Sequence, residues 1–101
     1  MSNVLNLHAN AGRNLPVIAI LPLLYRPVKV NGGTALRIEL RNERAGKAAA
    51  EASRAAGGSP TDQALAAFMP MSGLTLHQTL AMDTRDLERC LTIAISLTEL
   101  A

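Results

Sequence analysis

Val28-Lys29-Val30-Asn31-Gly32-Gly33-Thr34-Ala35-Leu36-Arg37-Ile38-Glu39-Leu40-Arg41 is the stretch whose reading decides the fold. Leu36, Ile38 and Leu40 alternate with Arg37, Glu39 and Arg41, the two-residue period of a strand with one apolar and one charged face. Asn31-Gly32-Gly33, just before it, tolerates the positive φ of a tight turn. The region from Val28 to Arg41 is therefore expected to form an antiparallel hairpin with one wet side, and its apolar side needs a cover.

Upstream, residues 17–30 are rich in Val, Ile and Leu but broken by Pro22 and Pro27, which forbids a helix and fits an edge strand or two short extended pieces. Residues 1–14 carry Asn3, Asn6, Asn10, Gly12 and Asn14 with no periodicity and read as a loose tail. Downstream the cover must be helical, and start signals recur. Asn42 can cap an Ala-rich helix over 43–56, with Ala45, Ala48, Ala49 and Ala52 as its small, flat face and Gly57-Gly58 as its stop. Ser59-Pro60-Thr61-Asp62 opens a second helix over 60–69, with Ala64, Leu65 and Phe68 as its stripe and Pro70 stopping or kinking it. After a turn at Gly73, Thr75 to Gln78 has the spacing of a capping box for a short helix over 76–81. Asp83 caps the last helix, over 84–100. The expected fold is α+β: one domain over 15–101, a hairpin at about 17–41 packed against about four helices.

The last helix is the most informative element. Leu87, Cys90, Leu91, Ile93, Ala94, Ile95, Leu97 and Leu100 cover well over half its circumference, leaving Arg85, Arg89, Thr92, Ser96 and Glu99 as a narrow polar stripe. Either it is a core helix wrapped on two sides, or its second apolar side meets another chain. Leu65, Phe68, Leu87, Leu91 and Ile95, facing each other across the second and last helices, are the candidate partner-binding residues.

Chemistry is thinly supplied. His8 and His77 have no metal-ligand neighbours at useful spacing, so no metal or other cofactor is expected. Cys90 falls among apolar neighbours, where a thiol acts as a small hydrophobe, and it is also the only cysteine, so no disulfide marks an oxidising compartment. Asp62, Asp83 and Asp86 sit at helix starts, where cap and dipole account for them. The reading is a binding protein and not an enzyme. The net charge of +2 is small and the only aromatics, Tyr25 and Phe68, cannot make a base-stacking platform, so nucleic acid is not the expected partner. A helix-turn-helix formed by 61–69 and 75–82 remains a minor alternative, with only His77, Gln78 and Thr79 available to reach base edges. The longest apolar stretch, residues 15–25, is too short to span a bilayer and is not built as a signal peptide, so neither membrane nor export is expected.

Ile20-Leu21-Pro22-Leu23, Pro27-Val28 with Gly32, Leu40-Arg41, Ala55-Ala56-Gly57-Gly58, Ser72-Gly73-Leu74, and Asp83 with Arg85-Asp86-Leu87 follow one another in an order that resembles the tail assembly chaperones of Mu-like and related long-tailed phages and prophages. The resemblance runs over about residues 18–97. It departs in the tail at 1–14, the Ala-rich segment and Pro70. It implies a cytoplasmic protein of the bacterial host that binds the tape measure protein, keeps it soluble while the tail tube assembles, and is missing from the mature virion. It also implies self-association and, in some members, a longer frameshifted product that recruits tail tube protein. The other readings are a structural head-to-tail connector protein and a small DNA-binding regulator.

Overall fold

The computed structural model describes residues 15–100; the expected tail at 1–14, with His8, lies outside the described residues. Four short strands precede four helices: β1 (Val17–Pro22), β2 (Val28–Val30), β3 (Gly33–Ala35), β4 (Arg37–Arg41), α1 (Glu43–Ala55), α2 (Pro60–Ser72), α3 (Leu76–Leu80) and α4 (Thr84–Leu100). The fold is α+β, with N-terminal antiparallel strands against a helical layer, as the residue pattern requires.

The strand pairing differs in detail from a single Val28–Arg41 hairpin. β2 and β3 form a tight hairpin with Val28 opposite Ala35 and Val30 opposite Gly33, turning at Asn31 and Gly32, whose φ is 84°. β4 instead pairs antiparallel with β1, Leu21 opposite Ile38 and Pro22 opposite Arg37. Pro27 marks the split: it stands immediately before β2, at the end of the β2–β3 ladder away from the turn, where prolines bound strands. The changeover falls at Leu36, which lies between β3 and β4 and is 70 % exposed instead of facing the core. Ile38 and Leu40 do face inward, while Glu39 is flanked on the wet face by Arg37 at 3.1 Å and Arg41 at 2.9 Å.

All the expected caps form. The Asn42 side chain accepts from Ala45 N in a left-handed conformation that Asn tolerates, and Ser59 with Asp62 and Thr75 with Gln78 each make a reciprocal capping box. At the end of α1, Gly57 takes φ 86° and its amide donates to the Arg54 carbonyl while that of Gly58 reaches the Ser53 carbonyl, satisfying carbonyls the helix leaves free. Pro70 does not stop α2, which continues to Ser72 before Gly73 caps it at φ 76°. The proline is exposed in the last turn, so it removes one helical hydrogen bond while Phe68 and Met71 on either side hold the helix in the core.

The core is built from Val28, Ile38, Leu40, Phe68, Met71, Met82, Cys90 and Ala94. α1 meets it through a different face from the one its alanines suggested: Gly46 and Ala50 are buried, whereas Ala48 and Ala52 are exposed. Gly46 leaves little room between α1 and its neighbours. A Cβ there would overlap Met71 Sδ, lie 2.8 Å from Met71 Cγ and sit 3.1 Å from Thr98 Cγ2. Replacing Gly by Ala inside a helix ordinarily stabilises by about 0.5–1 kcal/mol, but overfilling a packed core costs about 1–3 kcal/mol. Gly46→Ala is therefore expected to lower the thermal midpoint and Gly46→Leu to lower it further; a Gly46→Ala protein more stable than its parent contradicts this close approach.

Candidate functional site

The N-terminal turns of α4 hold the loop between β1 and β2. Asp86 is wholly buried, and its carboxylate accepts hydrogen bonds from the amides of Leu24 at 2.9 Å, Tyr25 at 3.1 Å and Arg26 at 3.2 Å. Arg89, one turn further on, donates to the same carboxylate at 2.8 Å and to the Pro22 carbonyl at 2.7 Å. Three successive amides converging on one anion make a nest, and a buried carboxylate needs such donors to remain charged. Burial is the strongest influence on Asp86 and pushes its pKa up, but the three amides and Arg89 together outweigh it, holding the carboxyl below its ordinary value of 3.8.

Asp83 adds a second tether. Its carboxylate caps α4 by accepting from Arg85 N at 2.9 Å and binds the Arg85 guanidinium at 3.1 and 3.0 Å, and that guanidinium lies 3.8 Å from the centre of the Tyr25 ring. Arg85, first through its side chain and then through its backbone amide, lowers the Asp83 carboxyl to about 2. The loop is thus tied at its backbone from within and stacked upon at its surface.

The five expected partner-binding residues are not brought to a common surface. α2 and α4 pack directly on one another. Ala64 and Ala67 are buried and small enough to allow close contact, and Phe68 is in the core with no exposure. Leu87 and Leu91 are half-buried against the core, and Leu65 and Ile95 are half-buried. Ile95 borders a small groove of about 240 Å³ with Lys47, Glu51 and Arg54 of α1 and Gln63 of α2. On α4 the innermost line is Asp86, Cys90, Ala94 and Thr98, each one turn apart, and Ile93 is its one large apolar side chain classed as exposed among the described residues. Burial raises the Cys90 thiol to about 11, in keeping with a packing role.

Uncovered apolar surface lies elsewhere. Ile20, Leu24 and Leu36 are exposed on the strand side, and Leu76 and Leu80, one turn apart, are exposed on α3. Tyr25 and Ile93 share a groove of about 510 Å³ with Leu21, Arg85 and Arg89. The would-be recognition helix of a helix-turn-helix is thus a five-residue segment with two outward leucines, whereas reading a DNA groove takes polar side chains at base edges. Among the described residues no group of three or more His, Cys, Asp or Glu could hold a metal ion, and no helix is long and apolar enough to cross a membrane.

The role of Asp86 escapes a reading by cap and dipole, because its partners are backbone amides 60–62 positions away. The available signal is an acid placed one turn before Cys90 and Ala94 on the inward line, with Arg89 beside it. Comparisons of the chain with protein-family models, with curated proteins and with solved structures found no match.

Because the folded carboxyl of Asp86 is more acidic than the unfolded one, its contribution is complete above pH 3.8 and is lost as pH falls through the lower folded value. Asp86→Asn should flatten part of the stability loss as pH falls below 3.8 in urea titrations, other parts belonging to Asp83 and Glu39. At neutral pH Asp86→Ala should cost roughly 3 kcal/mol by stranding amides and Arg89. Identical acid profiles for parent and Asp86→Asn contradict a charged Asp86 at the centre of this loop.

Proposed function

We propose that this domain binds another polypeptide and serves as a tail assembly chaperone of a phage or prophage, holding the tape measure protein soluble until tail tube subunits polymerise around it. The observation that carries the binding part is the uncovered apolar surface. Five aliphatic side chains, Ile20, Leu24, Leu36, Leu76 and Leu80, are each more than half exposed in a domain this small. Enclosing a Leu or Ile side chain fully is worth about 1.5–3 kcal/mol, so a partner that covers several of them gains considerably, and an uncovered domain has that gain in reserve.

The client part rests on the ordered resemblance of residues 18–97 to the tail chaperones. A tape measure is a very long helical protein with apolar stripes, and a small domain with several separate apolar shoulders suits such a client better than one with a single deep pocket. Cytoplasmic residence and self-association belong to the same proposal, as does recruitment of tail tube protein by a longer product.

Co-expression with the tape measure gene from the same genome tests this. The soluble fraction of the client should rise several-fold with the protein present, and an unchanged fraction counts against the reading. Mass spectrometry of purified particles should find no copies of this chain, whereas stoichiometric copies favour a connector.

A further inference from the structure

The loop that Asp86 holds leads directly into a cationic groove. Pro27, Val28 and Ala81 line its apolar part, with Val28 almost fully buried, while Arg26, Lys29 and His77 supply polar side chains; the space is about 550 Å³ and none of its lining residues is acidic. The other grooves described among these residues are different in kind. The one beside Ile95 carries Lys47 and Arg54 against Glu51 and Glu99, the one beside Tyr25 carries Arg85 and Arg89 against Glu88, and the one beside Leu74 carries Arg37 against Glu39.

The charges at this groove are also unspent. Arg37, Arg41, Arg85 and Arg89 each have a carboxylate partner, whereas Arg26 and Lys29, like Arg44, Lys47 and Arg54 of α1, make no ion pair among the described residues; of these grooves, only this one has such cations with no acidic residue in the lining. Arg26 does act on Asp83, but that carboxylate is already held by Arg85 at 3.0 Å. Outside the groove's own lining, on the next row of α3 round from His77, stand Leu76 and Leu80, 53 % and 61 % exposed. An apolar floor, an apolar shoulder and two unpaired cations define the complement: a segment with apolar side chains on one face and carboxylates on the other.

We propose that the groove between the β2–β3 hairpin and α3 is a polypeptide-binding site, and that it takes an acidic amphipathic segment of the partner chain. The proposal rests on the reading that this domain binds polypeptide, but not on the identity of the client. Lys29 is carried on β2, and Asp86 fixes the Arg26 backbone, so the cationic edge is organised before a partner arrives.

The test uses the full chain and a fluorescein-labelled amphipathic peptide with leucines at helical spacing and glutamates on the other face, read by anisotropy at low salt. A charge-swapped peptide, with lysine replacing each glutamate, is the comparison. The parent protein should bind the acidic peptide about tenfold more tightly than the swapped one, and R26E/K29E should reverse that order, a gain that a misfolded variant could not produce. Equal binding of both peptides, or an unaltered preference in R26E/K29E, overturns the proposal. So does a single-stranded oligonucleotide that displaces the acidic peptide through the same two residues, which makes the groove a phosphate site. Failure here alongside a solubilised tape measure condemns the groove and leaves the client reading standing; the converse result does the reverse.

Discussion

Asp86 is held out of water, and a carboxylate survives there as an anion only because donors surround it: three consecutive amides and one guanidinium. That constraint reaches in both directions along the chain. Backwards, it fixes the exit of β1, which Arg89 also grips at the Pro22 carbonyl. Forwards, it delivers the chain to Pro27 and the start of β2. Two small sheets with no strand in common are thereby attached to the same helix.

The surface of the domain follows from that attachment. Holding the backbone of residues 24–26 inward turns Leu24, Tyr25 and Arg26 outward, where all three are exposed. Tyr25 lies beneath Arg85, and Arg26 opens on the cationic groove. A loop pinned at every amide can present side chains to a partner without first losing the freedom that a loose loop would lose on binding. The buried anion is thus the structural element through which the fold supports the proposed recognition.

Much of the architecture was legible because it is local. The Asn31-Gly32 turn, the capping residues Asn42, Ser59, Thr75 and Asp83, and the stops at Gly57 and Gly73 act within a few residues of their own position, so spacing alone reveals them. Where the outcome depended on distant partners, pattern alone misled. Leu36 has the period of a core residue but falls at the point where one strand partner is exchanged for another. Gly46 stands in a run of alanines whose propensity hides it, although α1 lies close against Met71 and Thr98 there. The anchors expected on α2 and α4 have the correct helical spacing for a groove, yet the two helices pack on one another, with Phe68 buried in the core. An apolar stripe indicates that a face will be covered; it does not identify the cover. The exposed Leu76 and Leu80 were therefore harder to foresee than the buried stripe, because a short helix with few neighbours gives no period to count.

Amide proton shifts of Leu24, Tyr25 and Arg26, followed by NMR through an acid titration of the full chain, test the Asp86 constraint most directly. The account predicts that all three resonances lie downfield at neutral pH and move upfield together with a single midpoint below 3.8, the ordinary carboxyl value, as the shared acceptor is protonated. Three amides with random-coil shifts, rapid solvent exchange and no common titration would contradict it.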